Sequence, residues 1–248
     1  MKKYIGIVLV LFVFVLLWHI VSVLVSRPIM PAPIAVTSRL ISFAVEGRLW
    51  GHVWISIIRI FLALALAGIP AVILGLAAGR SNRLNLLISP IIYVLHPLPK
   101  AAFIPAIFLF FGIGEFSRIF LIAFIIFTHM LVTIRDSVKQ VPAEYLEAVR
   151  SLGAGRLTLL REVIIPAALP GFFTSLRISL GVAVAVLFIA ETFISVNGLG
   201  HLVLDAWLRI SYVEMYAAIM AMSLLGLVLF FLTDLLEYLL CPWRRTSS

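Results

Sequence analysis

Cysteine is nearly absent from this sequence. Cys241 is the single one in 248 residues, so no disulfide framework closes within the chain and no metal site is built on cysteines. Charge is scarce as well. Asp, Glu, Lys and Arg make up 12% of the residues, against about a quarter in soluble domains, while 63% are hydrophobic and the mean hydropathy is +1.20. That balance excludes an ordinary soluble domain and indicates a polytopic membrane protein. Catalytic patterns are also missing. No lysine follows a glycine, so there is no Walker A phosphate loop; no GxSxG turn occurs; and His19, His52, His96, His129 and His201 are dispersed without ligand spacing. Any use of ATP must therefore come from another chain, and no resident metal or cofactor is expected. The net charge of +8 is spread through loops between apolar runs. With no basic stripe interleaved with aromatics, it reads as membrane orientation and not as nucleic-acid binding.

What is present is a series of apolar runs. Residues 4–25 are long enough to cross a hydrocarbon core, and they continue past the length of a signal-peptide apolar region before meeting Arg27-Pro28, so they are read as a retained first helix. Residues 26–51 form a loop, with a short amphipathic helix expected around 35–45. Further spans are expected at 53–78, 86–111, 116–134, 167–193 and 215–240, the last two joined by a loop at 194–212. The expected fold is therefore all-α: one transmembrane domain over 1–248, in which six helices comprise a first helix and a five-helix core over 53–240. Lys2, Lys3, Arg80, Arg83, Arg135, Lys139, Arg150, Arg156, Arg161, Arg244 and Arg245 fall in one set of connecting segments. Only Arg27, Arg39, Arg48, Arg118 and Arg209 fall in the other. The positive-inside rule then puts both termini, and the segment 141–166, in the cytoplasm.

Several polar residues lie within the spans. Pro90, Pro97, Pro99 and Pro105 predict that the third span is broken or re-entrant, because each removes a backbone donor. Lys100 and His96 sit at that break. Lys100 has two readings: a cation attracting an anionic solute, or a side chain that snorkels or satisfies a freed carbonyl. Arg177 and Glu191 lie fourteen residues apart on the fifth span, nearly on one face; each is a candidate for solute contact, for capping or for pairing with a neighbouring helix. Arg59 is expected to snorkel, and Asp234 and Glu237 to face water or Arg244 and Arg245. Gly68, Gly75 and Gly79, with a GxxxG match at 75–79, and Gly171, Ser175, Ser179 and Ala183 form small-residue stripes that predict close helix packing.

The one long water-exposed run is 141–166. Tyr145, Ala148, Val149 and Leu152 follow helical spacing and predict one apolar face of a short helix, with Pro142 at its first turn and Gly153 at its stop. So short a helix needs something to press on. Glu147-Ala148-Val149, three residues, Gly153, nine residues and then Val163-Ile164-Ile165-Pro166 resembles the EAA loop of ABC importer permeases, with mild apolar exchanges at 149, 163 and 165. Residues 28–36, 56–79 and 96–121 (with Phe111-Gly112-Ile113-Gly114-Glu115), and Asn197-Gly198-Leu199-Gly200 with Asp205, resemble the nitrate, sulfonate and taurine subgroup.

That resemblance implies a six-helix type I permease of the bacterial inner membrane, working as a pair, most simply a homodimer, in the lipid bilayer. It also implies two cytoplasmic ABC ATPase subunits and an extracytoplasmic solute-binding protein. The loop's helix would enter a cleft on the ATPase through Tyr145, Ala148, Val149 and Leu152, with Glu147, Gly153 and Pro166 at the motif's fixed positions. The permease itself would be non-catalytic. The solute would be a small anion or a vitamin precursor, and Lys100, Arg177 and Glu191 are the pathway candidates. A self-sufficient secondary transporter or channel is the alternative; against it, the spans show no duplicated half and no dense set of intramembrane acids.

Overall fold

The computed structural model describes residues 2–25, 28–193 and 195–243. Every regular element among the described residues is helical, the arrangement that lets apolar segments satisfy their own backbone groups where water is absent. In chain order these are α1 (Lys2–Val25), α2 (Pro33–Val45), α3 (Arg48–Arg80), α4 (Asn82–Leu95), a 3-10 turn (Lys100–Phe103), α5 (Ile104–Phe111), α6 (Glu115–Lys139), α7 (Ala143–Ser151), α8 (Arg156–Leu159), a π-turn (Leu160–Ile164), α9 (Ile165–Thr192), α10 (Leu199–Leu208) and α11 (Tyr212–Leu240). Among the described residues, four helical stretches are long and apolar enough to cross a membrane: Arg48–Arg80, Glu115–Lys139, Arg156–Thr192 and Tyr212–Leu240. The pair Asn82–Leu95 and Lys100–Phe111, bent by 79°, counts as a fifth when taken as one broken span.

The break falls where the prolines predict it. Ser81 caps the start of α4 by accepting a hydrogen bond from the Leu84 N–H at 3.4 Å, and the helix ends ahead of Pro97. Pro105 lies in the first turn of α5, where a missing N–H costs nothing. Two expectations need correction. The segment 194–212 is not merely a loop. It holds the ten-residue α10, which Asn197-Gly198 and Gly200 disguised because they mark its N-terminal turn. The fifth span also starts earlier than expected, since α8 runs into α9 through the π-turn. Pro166 has no N–H to give to Glu162, and the widened turn lies immediately before it.

The chain forms two compact units. One comprises Met1–Ser56 with Glu191–Leu225. In it the Trp18 indole donates to the Pro31 carbonyl at 3.1 Å and the Ser22 hydroxyl to Met30 at 3.0 Å, tying α1 to the segment that leads into α2. Arg39 pairs with Glu214, which also receives Arg209 at 3.0 Å. At the start of α10, Gly198 takes φ +107, a region that favours glycine. The Leu199 N–H donates to the Ser56 hydroxyl at 3.0 Å, and the Gly200 N–H donates to the Glu191 carboxylate at 2.7 Å. Glu191 is fully buried and also accepts from the Ser56 hydroxyl at 2.7 Å. A carboxylate at a helix N-terminus satisfies orphan amides and complements the helix dipole.

The other unit comprises Ile57–Ala190 with Gly226–Ser248. Its packing rests on the glycine stripes. A Cβ on Gly75 would lie 2.9 Å from Ile134 Cγ2, and one on Gly79 would lie 2.6 Å from Val138 Cβ and 2.8 Å from the Arg135 carbonyl oxygen. Gly171 presses against Ser137 of α6 in the same way. Ser175 and Ser179 are buried with hydroxyls that have no hydrogen-bond partner, so they serve as small packing residues.

Two outcomes are expected. Gly79→Val should lower the thermal stability of the detergent-solubilised protein by about 1–3 kcal/mol through overpacking on α6, whereas Gly51→Ala, whose Cβ meets open space, should leave it unchanged in the same melting assay. Glu191→Ala should cost about 1–3 kcal/mol by stranding the Ser56 hydroxyl and the Gly200 amide; limited proteolysis would show it as faster cleavage within 195–211.

Candidate functional site

The segment 141–166 is built on its own chain. Pro142 is the N-cap of α7 (φ −58°, ψ 139°), one position before the expected first turn. Leu146, 7% exposed, and the partly buried Val149 pack with Val138, Leu159, Ile164 and Ala168. The expected stripe is thus only partly the buried one. Val149 faces the protein together with Leu146, which the spacing of 145, 148, 149 and 152 passed over. Tyr145 (61% exposed) and Leu152 (85% exposed) stay open, as does Ala148. A nine-residue helix with apolar residues at 145, 146, 148, 149 and 152 has two apolar faces, and only packing decides which one is covered.

Gly153 ends the helix at φ +83, donating its N–H to the Arg150 carbonyl at 2.9 Å, while the Ala154 N–H reaches Val149 at 3.4 Å. This left-handed geometry is strained for a residue with a Cβ. Beside the open face lies a shallow hollow of about 400 Å³ lined by Tyr145, Ala148, Val149, Glu162, Val163, Pro166, Ala167 and Trp243. Trp243 had no signal in the sequence to connect it with this segment. Glu147 is exposed and joins no ion pair among the described residues. The arrangement is a short helix held from behind, presenting an apolar, weakly concave face.

The solute-pathway candidates occupy separate surroundings. Lys100 is 6% exposed at the break of the third span, and its ammonium donates to the His96 carbonyl at 3.4 Å. The His96 ring meets His129 of α6 edge-on at 5.3 Å. Arg177 is clamped by carboxylates. Its Nε donates to Asp234 at 2.8 Å, Nη2 reaches Asp234 at 2.6 Å and also Glu237, and the guanidinium lies 5.6 Å over the Phe230 ring. Asp234 and Glu237 therefore serve Arg177; Arg244 and Arg245, the partners expected for them, lie outside the described residues, as does Arg27. Glu191 caps α10 as described above.

Arg59 does not snorkel. It is fully buried and forks onto Glu115 through Nε at 2.7 Å and Nη2 at 2.6 Å, while Arg118 reaches the same carboxylate at 3.0 Å. The sequence signal for this was Gly114-Glu115 opening a helix, an acid in a first turn that needed a cation, but nothing local pointed to a residue 56 positions away.

Comparisons with known proteins fit this architecture. A family model described as binding-protein-dependent transport system inner membrane component matches residues 71–246. The taurine transport system permease protein TauC of Escherichia coli K12 is 34% identical over 233 residues, 92% of this chain and 85% of that protein. A Bacillus subtilis protein named as an aliphatic sulfonates transport permease, SsuC, is 30% identical over 94% of this chain and 86% of its own. The formylaminopyrimidine transport permease protein ThiX of Halalkalibacterium halodurans is 26% identical over 92% of each. Among solved structures, a chain of the methionine ABC transporter MetNI in an inward facing conformation superposes with a TM-score of 0.65 at 18% identity, covering 79% of this chain and 98% of that one; this likeness speaks for the fold. With a family model along most of its length and relatives a third identical over nearly all of it, the chain belongs to the binding-protein-dependent transport system inner membrane components, the type I permeases of ABC importers.

Proposed function

We propose that this permease lines the pathway for a small sulfonate-type anion, received from an extracytoplasmic binding protein, and is driven by separate cytoplasmic ATPase subunits that engage the segment 141–166. The reading takes six spans, with α1 as the first and the bent pair as the third, so that both termini and α7 share the cytoplasmic side of a bacterial inner membrane; the excess of Lys and Arg in those segments supports it. Two copies form the pathway. The single observation that carries the coupling role is the open apolar face of Tyr145, Ala148 and Leu152 beside the Trp243 hollow, on a helix already anchored from behind by Leu146 and Val149.

In this reading no covalent step occurs in the permease. ATP binding and hydrolysis change the separation of the partner subunits, α7 follows, and the helices exchange inward- and outward-open states. The bias comes only from the different contacts that the ATPase makes with the two states. Gly153 keeps α7 short and aims the chain into α8, and the π-turn connects that segment to α9. The names of the taurine and aliphatic sulfonates relatives support a sulfonate solute, while the formylaminopyrimidine relative marks a vitamin-precursor-like solute as the alternative. A self-sufficient transporter or channel has no support from the family.

Glu147→Lys and Gly153→Asp are each expected to abolish uptake while the chain remains in the membrane, the first by reversing charge on the open helix and the second by straining the φ +83 stop. Full transport by both variants would overturn the coupling role. Purified with its ATPase and binding protein, the wild type should hydrolyse ATP faster with ethanesulfonate or taurine than without; acceleration by a pyrimidine alone would move the solute class to the alternative.

A further inference from the structure

The cations buried inside the second unit divide into two kinds. Arg59 and Arg118 are both almost completely buried, and both pair with the Glu115 carboxylate. Arg177, only partly buried, pairs with two carboxylates. Lys100 is different. It is as buried as Arg118, yet no carboxylate pairs with it among the described residues, and its one hydrogen bond, to the His96 carbonyl, is long at 3.4 Å. An ammonium has three donors, so two have no acceptor among the described residues. His96, whose carbonyl Lys100 reaches, stacks its ring edge-on with that of His129, and neither imidazole adds negative charge. An uncompensated cation at membrane depth is costly and by default functional.

The surroundings indicate what supplies the missing charge. The break at residues 96–99 is not covered by the chain itself, because His96, Pro97 and Pro99 are exposed. Non-helical backbone at membrane depth does not face lipid; its open side must meet protein or a water-filled passage. On the adjoining side, Phe103 packs edge-on against Phe124 of α6 at 6.2 Å, and Phe124 continues a stacked row with Phe120. A buried ammonium, two imidazole rings, an aromatic pair and an exposed helix break together describe a site for an amphipathic anion.

We infer that the break of the third span is an anion subsite of the translocation pathway, in which Lys100, with His129 and His96, receives the sulfonate-type headgroup while Phe103 and Phe124 face its organic part. This rests on the transport reading above and names the residues that would make it selective for anions. The solute acts as the counter-charge for Lys100 while it occupies the break. Lys100 would otherwise be only a cap for the His96 carbonyl, and the two roles separate chemically. Glutamine at position 100 can still donate to that carbonyl but carries no charge; arginine keeps the charge with a different shape.

The test uses the permease with its ATPase and binding protein in proteoliposomes, with ethanesulfonate as the probe. Lys100→Gln should reduce uptake about tenfold or more, Lys100→Arg should keep most of the uptake, and His129→Asn should weaken it about threefold. Wild-type uptake by Lys100→Gln, or equal losses in the Gln and Arg variants, would overturn the subsite. Failure of the transport reading is seen separately, as absence of ethanesulfonate uptake by the wild type. In that event, and equally if a variant fails to assemble, sulfate and ethanesulfonate are titrated directly into the solubilised permease–ATPase complex. Binding to the wild type that Lys100→Gln or His129→Asn weakens supports the subsite, and no binding to the wild type refutes it.

Discussion

Inside a bilayer a polar group that lacks a protein partner has no water to fall back on, and that single constraint organises most of this structure. It explains why Arg59, deep in α3, forks onto Glu115, and why Arg177 is held by Asp234 and Glu237 from α11. It explains the Glu191 carboxylate, which would be a liability inside an apolar helix end, as the acceptor for the Gly200 amide of α10 and the Ser56 hydroxyl. The same rule makes the exceptions informative. It is met by widening a helix in the turn before Pro166, where the helix continues through the proline; at Lys100 no carboxylate pairs with the ammonium among the described residues.

A second consequence of the solvent is that hydrocarbon gives helices no hydrophobic reason to associate. Close approach must do it, and the approach here converges on α6. Its spanning window is 56% buried, against 33–39% for the other three. Gly75 and Gly79 of α3 and Gly171 of α9 all meet it at distances that leave no room for a methyl group. The helix that carries His129 near its middle is thereby the most closely packed of these four segments.

How much of this was legible in advance follows the range of each interaction. The spans at 53–78, 116–134, 167–193 and 215–240 were legible because length and apolarity are properties of a single segment, and the broken third span because Pro97, Pro99 and Pro105 act on their immediate neighbours. The 141–166 segment announced itself through fixed spacing. Pairings were not legible: Arg59 with Glu115 and Arg177 with Asp234 join residues more than fifty positions apart, and each ionic group taken alone fits snorkelling or a water-facing end. The helix at 199–208 was missed because the glycines that open it look like a loop when the groups capping it, Ser56 and Glu191, are far away in sequence. For α7 the periodicity was real but ambiguous, since it described two apolar faces and the fold covered the one containing Leu146.

That anchoring of α7 separates its two faces. Because Leu146 and Val149 already secure the helix to Val138, Leu159 and Ile164, the residues on its outer face are not needed to keep it folded. Substitutions at 145 and 152 alter the exposed surface without removing the contacts that hold the helix. The two sides of α7 thus answer to different constraints, the inner one to the fold and the outer one to whatever meets it.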